Sequence, residues 1–466
     1  MAAQPPQPHI TILPSPGLGH VTPLLELANH LVTHHSFKVS FLLYPSDSST
    51  ASDQLCRPAT LPSDLHIIDL PPPDFSNIAV DDNDFVSHPP IPPVCTLIID
   101  HPVTVLVVDM FFIDAIDVAN ELSIPTYLFF TSSTNLLAFS FYFPTLDQEL
   151  NGDFSDLQMI NIPGCKGMPV TDMFDILFDR RVLPMITRFA EVAGILVNTW
   201  EELEPITLHA MRENPFFVQR PPATATPPVY TVGPVIKMNE PVTETTHRCL
   251  TWLDKQPQNS VVYVSFGSGG TLSSEQIIEL AWGLELSKQR FIWVVRRPID
   301  SNASATYFGG DGENNPVEYL PEGFLGRTKE VGLVVPSWGP QVAVLSHLST
   351  GGFLSHCGWN SVLESIPNGV PMIAWPLYAE QGMNSWFLVE DIGVAVRAVG
   401  AEQRSVMRRE EVARVVRMVV EGEEGKVTRC RTIELQQSAK RALDCGGSSS
   451  LSLSQVAQSW KTQPKN

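Results

Sequence analysis

The stretch that decides the fold spans residues 338–381 and reads WGPQVAVLSHLSTGGFLSHCGWNSVLESIPNGVPMIAWPLYAEQ. Its pattern predicts a strand over residues 352–355, a glycine-containing turn, and a helix that begins at Trp359. A further strand is predicted over residues 372–375. Short apolar strands that alternate with helices are typical of a parallel sheet, in which ligands bind beyond the carboxyl ends of the strands. We therefore expect a binding site here.

Charge is sparse in this stretch. It contains no Lys or Arg, and its only full charges are Glu364 and Glu380. Asn360 and Ser361 bring neutral donors to the start of the predicted helix, where unpaired backbone N–H groups suit a phosphate. Glu364 lies one helical turn later, where a carboxylate suits the hydroxyls of a ribose. The stretch predicts a site for a compact anion joined to a sugar.

Three further residues of the stretch fit a nucleotide sugar. The ring of Trp338 offers a face on which a base can stack, a contact worth about 1 to 3 kcal/mol in other nucleotide complexes. Glu380 and Gln381 follow the second strand and pair an acceptor with an amide, which suits the vicinal hydroxyls of a sugar. Taken singly, a Trp is usually a core residue and a helical Glu is usually solvated. Their combination favours the binding site.

Composition limits the class of protein. The 466 residues are enough for two or three domains, and the net charge of -20 argues against nucleic acids and anionic membranes as partners. Seven scattered cysteines, without a Cys-x-x-Cys pair, predict reduced thiols and a cytoplasmic protein. The sequence shows neither a signal peptide nor a stretch apolar enough to span a membrane.

The chain repeats one plan in two halves. A strand over residues 9–13 precedes PSPGLGH, and a strand over residues 261–265 precedes FGSGG. Both are strand-to-helix turns that suit a phosphate, although each alone is weak support. We predict an acceptor-binding domain over residues 1–240, a donor-binding domain over residues 241–445, and a terminal helix over residues 446–466 that braces the two.

Other elements are predicted from local signals. Strands are expected over residues 37–43, 103–108 and 195–198, and a charged amphipathic helix over residues 408–420. Thr22 and Pro23 predict a helix start by an N-cap and a first-turn proline. Ser273 and Gln276 have the spacing of a capping box for a helix that runs to about Leu286.

His20 is the candidate general base. It follows the glycine turn PSPGLGH, and a nearby carboxylate would orient its ring and stabilise its charged form. Asp109, at the end of the predicted strand 103–108, is the favoured partner, while Asp114 and Asp117 are competitors. Phe111 lies two residues beyond Asp109 and is a candidate to line an apolar acceptor pocket, with a core position as the alternative.

The stretch 338–381 resembles the signature box of plant UDP-glycosyltransferases that modify secondary metabolites. Further similarities are PSPGLGH, VVDMFFIDAIDVANE, ILVNTWEELE, VYVSFGSGG and PEGF, so the resemblance covers nearly the whole chain. It is most similar to the branch of phenol and hydroquinone glucosyltransferases. The resemblance implies an α/β protein of the GT-B fold, with two facing Rossmann-like domains built on parallel sheets.

The resemblance also implies roles for individual residues. It makes His20 and Asp109 the catalytic pair, and it assigns the uracil to Trp338, the uridine part to Gln341 and the ribose to Glu364. The remaining donor-binding residues bind either the diphosphate, namely Ser268, His356, Asn360 and Ser361, or the sugar, namely Thr131, Trp359, Glu380 and Gln381. The sequence departs from the common box at Gly339, often Ala, and at Glu380, often Asp.

The implied reaction is transfer of glucose from UDP-glucose, with inversion, to a hydroxyl of a small phenolic acceptor. No metal or other cofactor is expected, and the protein is expected to be a monomer. Three alternatives stay open. Residues 82–84, Asp-Asn-Asp, have the spelling of a metal-binding motif; the two glycine turns allow a nicotinamide-dependent dehydrogenase; and the chain could bind a nucleotide sugar without catalysis.

Overall fold

The computed structural model describes residues 7–44, 61–71, 103–173, 178–219, 221, 224–237, 242–300, 314–398 and 406–462. Within these ranges the strands form two large parallel sheets and one small antiparallel pair. The predicted boundary at residue 240 and the Asp-Asn-Asp motif of residues 82–84 lie outside the described residues. None of the helices in the described ranges is both long and apolar enough to cross a membrane.

The first sheet occupies the first half of the chain. Its strands run parallel in the spatial order β3-β2-β1-β4-β5-β8-β9. The strands of this half are β1 (His9–Leu13), β2 (Lys38–Leu43), β3 (Leu65–Asp69), β4 (Val105–Asp109), β5 (Thr126–Phe130), the antiparallel pair β6 (Met159–Ile160) and β7 (Met168–Pro169), β8 (Gly194–Val197) and β9 (Val229–Thr231). Strands β1, β4, β5 and β8 are buried along their whole length, as expected for a parallel sheet covered on both faces.

The second sheet repeats this plan. Its parallel order is β12-β11-β10-β13-β14-β15, built from β10 (Val261–Ser265), β11 (Arg290–Val295), β12 (Gly332–Pro336), β13 (Thr350–Ser355), β14 (Met372–Ala374) and β15 (Ala395–Arg397). In both sheets the order reverses beside the first strand of the half, β1 or β10. Crevices at such positions are where open parallel sheets bind ligands.

Helices cover the sheets. In the first half they are α1 (Leu18–His35), α2 (Ile116–Glu121), α3 (Thr134–Leu150), α4 (Leu183–Thr187), α5 (Pro205–Glu213) and α6 (Pro215–Val218). In the second half they are α7 (Glu244–Leu253), α8 (Ser274–Ser287), α9 (Phe324–Thr328), α10 (Gln341–Leu345), α11 (Trp359–Ser365), α12 (Gln381–Trp386), α13 (Arg409–Glu421), α14 (Glu423–Leu443) and α15 (Ser448–Thr462).

One predicted helix start is wrong, and one predicted capping box is only half formed. Helix α1 begins at Leu18 after Gly17, so Thr22 is not its N-cap and Pro23 lies inside the helix. The glycine turn ends early enough for the helix to begin five residues before the proline. Ser273 does cap α8 by accepting from the Gln276 backbone N–H, but the box is not reciprocal. The Gln276 side chain bonds the backbone of Met407 instead, and so joins α8 to the segment before α13.

The last helix packs on the first sheet although it follows the second in sequence. Trp460 is fully buried, and its ring meets the rings of Phe37 and Tyr127 edge-on. Ser449 Oγ donates to the backbone oxygen of Gly233 at 2.5 Å. These contacts attach the helix, which begins at Ser448, to the first half; the bracing of the two halves by the segment 446–466 stays a prediction.

Candidate active site

His20 and Asp109 meet at the carboxyl ends of adjacent strands β1 and β4. His20 lies in the first turn of α1 and Asp109 is the last residue of β4, and the His20 Nδ1 atom is 2.8 Å from Asp109 Oδ2. The carboxylate is fully buried, and it also accepts hydrogen bonds from Ser15 Oγ at 2.5 Å and from the Phe111 backbone N–H at 3.1 Å. Since an ionised carboxylate only accepts, Nδ1 carries the proton and Nε2 is left to accept one.

The surroundings of His20 favour its charged form. Burial opposes the charge of the imidazolium, but the Asp109 carboxylate, by its charge and its hydrogen bond, and the more distant Glu380 carboxylate outweigh that effect. The pKa of His20 is therefore raised above its ordinary value. The competing carboxylates are engaged elsewhere, because Arg188 pairs with Asp114 at 2.7 Å and with Asp117. Of the three candidates, Asp109 is the one bonded to His20.

Thr131, Phe111 and Glu380 surround this pair. Thr131, after β5, brings its hydroxyl within 3.1 Å of His20 Nδ1 and 3.4 Å of Asp109 Oδ2. Phe111 packs its ring edge-on against His20, with centroids 5.3 Å apart. Glu380 belongs to the second half and accepts from Ser132 Oγ at 3.4 Å, while burial raises the pKa of its carboxyl group. Residues of both halves thus converge on His20.

His356 lies between the glycine turns that follow β10 and β13. A Cβ atom at Gly267 would come within 2.6 Å of the His356 ring, and one at Gly358 within 2.4 Å. Burial lowers the pKa of His356 to about 4, so its ring is neutral near pH 7. Ser268 follows Gly267 directly. The two turns therefore meet around the neutral His356 ring, which can donate a hydrogen bond. Such a donor suits a site that binds an anion with few cations.

The residues predicted to hold the nucleoside form a second cluster. Gln341 Nε2 donates to Ser361 Oγ at 3.0 Å and to Glu364 Oε2 at 2.6 Å, which joins the starts of α10 and α11. Trp338 lies in the bend before α10 and remains 36% exposed. An aromatic ring that is open to solvent beside such a cluster is suited to stacking on a base.

Three predicted donor residues are already engaged in the protein. The indole N–H of Trp359 donates to the backbone oxygen of Asn198 at 2.8 Å, and its ring is 2% exposed. The predicted contact of Trp359 with the sugar stays a prediction, and since the ring is buried its backbone N–H is the group suited to that contact. Asn360 Nδ2 donates to the backbone oxygen of Gly19 at 2.7 Å. Gln381 Oε1 accepts from the N–H groups of Leu377 and Tyr378, so the amide nitrogen is the part of this side chain suited to a sugar hydroxyl.

Sequence reasoning missed Arg296 and Ser15. Arg296 follows β11, and its guanidinium donates to the backbone oxygen of Ser268, so a cation stands beside the glycine turn although the stretch 338–381 has none. The position of Arg296 directly after a strand, at the ligand-binding edge of the sheet, was the sequence signal that could have identified it. Ser15 lies within PSPGLGH, of which only the glycines and His20 were interpreted. Among the residues that the structure describes, no three His, Cys, Asp or Glu side chains are grouped as a metal site would need.

Two parallel sheets whose carboxyl ends converge on these residues define a glycosyltransferase of the GT-B fold. Residues 103–440 match the family model described as UDP-glucoronosyl and UDP-glucosyl transferase. The chain belongs to this family and is a UDP-glycosyltransferase, which takes its sugar from a UDP-sugar donor and transfers it to a small acceptor. Membership of this family sets aside the dehydrogenase alternative.

Relatives of known name cover nearly the whole chain. Anthocyanidin 3-O-glucosyltransferase 5 of Manihot esculenta is 44% identical over 98% of this chain and 97% of its own length. Hydroquinone glucosyltransferase of Rauvolfia serpentina is 42% identical over 98% of both chains. Among solved structures, TcCGT1 in complex with UDP has a TM-score of 0.91 at 43% identity, covering 98% of this chain and 99% of that one. These plant relatives support the phenol and hydroquinone branch.

Proposed function

We propose that this protein transfers glucose from UDP-glucose, with inversion, to a hydroxyl of a small phenolic or related aromatic acceptor. The observation that carries the proposal is the His20–Asp109 pair, 2.8 Å apart, with Phe111 packed against the imidazole. In support, two relatives are named as glucosyltransferases of anthocyanidin and of hydroquinone. A related structure from Phytolacca americana, 40% identical over 98% of this chain and 100% of that one with a TM-score of 0.84, is complexed with UDP-2fluoro-glucose and pterostilbene.

The reaction is a single displacement. A lone pair of the acceptor oxygen attacks the anomeric carbon, the bond from that carbon to the diphosphate oxygen breaks, and its electron pair leaves with UDP. His20 Nε2 takes the hydroxyl proton as attack proceeds, and Asp109 stabilises the imidazolium that forms. Attack from the side opposite the leaving group inverts the configuration, so an α-linked donor gives a β-glucoside.

The donor is held by the second half. Trp338 stacks on the uracil, Gln341 contacts the uridine part and Glu364 binds the ribose. The diphosphate is bound by neutral donors, namely Ser268, His356, Asn360 and Ser361. Thr131, Glu380 and Gln381 contact the sugar, to which Trp359 contributes through its backbone N–H and not its buried ring.

The first prediction concerns the base. His20→Ala is expected to reduce transfer by about 10²- to 10⁴-fold, the usual worth of general base catalysis, while UDP binding is retained. Transfer is measured with UDP-glucose and a panel of phenols, reading products by mass and the anomeric configuration by NMR. Near-normal turnover of the variant would contradict the role of His20. Failure of the unmodified protein to glucosylate any phenol, alcohol or thiol would contradict the proposed function itself.

The second prediction concerns metal ions. The diphosphate is proposed to be bound by neutral side chains and backbone donors, so transfer is expected to proceed undiminished in EDTA. The measurement compares initial rates with and without chelator, followed by addition of Mg²⁺ or Mn²⁺. A rate lost in EDTA and restored by either ion would instead support a metal-binding role for residues 82–84.

Cytoplasmic location is also proposed, on the seven scattered cysteines, which predict reduced thiols, and the monomeric state stays a prediction. Microscopy of a fluorescent fusion tests the location, and light scattering of the purified protein tests the monomer.

A further inference from the structure

Two neighbouring residues of the second half donate to backbone oxygens of the first half. Trp359 and Asn360, the first two residues of α11, contact Asn198 O at 2.8 Å and Gly19 O at 2.7 Å respectively. Asn198 follows β8, and Gly19 lies between β1 and the rest of α1, directly before His20. The segment that carries the proposed diphosphate residues is therefore attached at two points to the part of the molecule that carries the base.

The oxygen of Gly19 can accept from Asn360 because of Pro23. In a helix, the carbonyl of Gly19 would receive the N–H of the residue four positions later. That residue is Pro23, which lies inside α1 and has no N–H. Because Pro23 has no N–H, the backbone oxygen of Gly19, next to His20, is available to a donor from the other half. A proline inside a helix lowers the stability of that helix. Its presence at position 23 therefore favours a role for the oxygen that it leaves unbonded within the helix.

The oxygen of Asn198 is held in place by its own side chain. The Asn198 carboxamide accepts from the Val235 N–H at 2.7 Å and donates to the Val235 oxygen at 2.9 Å. Asn198 is fully buried, and the Trp359 ring that reaches it is 2% exposed. Val235 follows β9 and leads toward the second half, so this contact joins the donor segment, the first sheet and the connecting chain.

We propose that Trp359 and Pro23 are positioning residues for glucosyl transfer, Trp359 through Asn198 and Pro23 through the bond between Asn360 and Gly19. The proposal rests on the proposed role of His20 as base. The two hydrogen bonds set the distance between His20, on the first half, and the anomeric carbon, held by the second. A misplacement of about 1 Å in such a geometry costs up to about 10²-fold in rate. Affinity for UDP is proposed to depend on contacts within the second half, because Thr131 of the first half would contact only the sugar, so loss of these bonds should leave the Kd of UDP unchanged.

The test for Trp359 replaces its N–H and keeps an aromatic ring. Trp359→Phe is expected to lower kcat by about 10- to 100-fold while the Kd of UDP stays within about twofold. Trp460→Phe is the matched control, because Trp460 is also fully buried and its indole nitrogen has no hydrogen-bond partner among the described residues. Thermal unfolding of both variants shows whether they fold. If Trp359→Phe does not fold, Asn198→Ala replaces it and is expected to give the same loss of kcat at unchanged Kd.

Two results would overturn the role of Trp359. The first is a kcat equal to that of Trp460→Phe. The second is a weaker Kd for UDP, or a changed preference between UDP-glucose and UDP-galactose, which would make the Trp359 side chain part of the donor site.

The test for the second bond is Pro23→Ala, at a buried position that is not among those proposed to bind donor or acceptor. The new N–H at position 23 competes with Asn360 for the Gly19 oxygen, and kcat is expected to fall about 5-fold at unchanged Kd for UDP, the effect of losing one ordinary hydrogen bond. An ordinary packing role would lower the thermal midpoint and leave kcat per folded molecule unchanged, which would overturn this part of the proposal. His20→Ala separates both results from the proposed function, since it tests the base alone.

Discussion

At the scale of single residues, His20 is exposed to opposing influences. Burial opposes its positive charge, whereas Asp109 and Glu380 favour that charge and raise the pKa. A base must be deprotonated before it accepts a proton, so transfer is expected to increase as pH rises through the raised pKa of His20. The same carboxylate that limits the free base at low pH stabilises the imidazolium once the acceptor proton arrives.

The third prediction therefore concerns Asp109→Asn. Removing the negative charge leaves burial and only the distant Glu380 to act on His20, so the pKa of His20 falls and the acidic limb of the pH profile moves to lower pH. Turnover at the plateau falls by about 10²- to 10⁴-fold, because Asn does not stabilise the imidazolium. The measurement is kcat/KM against pH with a fixed phenol. An acidic limb at the same pH as in the unmodified protein would assign that limb to another group.

Chain position identified some of these residues and not others. Asp109 could be predicted because a carboxylate at the end of an apolar strand must lie at the ligand-binding edge of a parallel sheet, and its bond to His20 is observed. The direction of the Trp359 ring could not be predicted. It depends on Asn198, which is 161 residues distant in the sequence and follows a strand of the other sheet.

At the scale of elements, the glycine turns after β10 and β13 depend on each other. Each turn has a glycine beside the His356 ring, namely Gly267 and Gly358. A Cβ atom on either glycine would collide with that ring. Gly267 also has φ near +75°, a left-handed conformation that suits glycine. The sequence predicted both turns but not that a single ring separates them.

The fourth prediction concerns Gly267→Ala. Its Cβ atom would displace His356, and UDP affinity is expected to fall about tenfold, the worth of a hydrogen bond of about 1.4 kcal/mol. The left-handed backbone adds a loss of stability of about 1 to 2 kcal/mol. Gly326→Ala in α9 is the control, because nothing lies within 4 Å of its Cβ position. Calorimetric titration with UDP measures the affinities, and a folded Gly267→Ala variant with unchanged affinity would argue against diphosphate binding by His356.

The predicted starts of α8 and α11 are confirmed, whereas the predicted start of α1 is wrong. The strand over residues 261–265 has the predicted bounds, whereas α1 begins at Leu18, before the predicted N-cap Thr22. Strand limits follow local hydrophobicity, which is visible in the sequence. The start of α1 was obscured by Pro23, which usually marks a first turn. Here the proline lies in the second turn of α1. The Gly19 oxygen, which Pro23 cannot bond, accepts from Asn360 of the other half, and sequence rules for single helices do not predict such a contact.

At the scale of the whole molecule, the C-terminal helix returns to the first sheet. Leu453, Val456, Ala457 and Trp460 join the hydrophobic cluster that includes strands β1, β2 and parts of β4. The preceding helix α14 contributes Ser438, whose hydroxyl accepts from the Trp200 indole at 2.8 Å. The last part of the chain therefore stabilises the half that carries His20 and Asp109, although it follows the half proposed to bind the donor.

The fifth prediction tests this arrangement with Trp460→Ala. The substitution removes a fully buried ring from the cluster behind β1 and β4, and the free energy of unfolding is expected to fall by about 3 to 5 kcal/mol. Leu451→Ala on the same helix is the control, because Leu451 is 58% exposed and should change stability by about 0.5 kcal/mol or less. Denaturant unfolding of both variants, with UDP affinity measured on the folded protein, makes the comparison. Because the cavity lies in the first half, Trp460→Ala should unfold at lower denaturant while the Kd of UDP is preserved. Equal midpoints for the two variants would contradict stabilisation of the first half by the terminal helix.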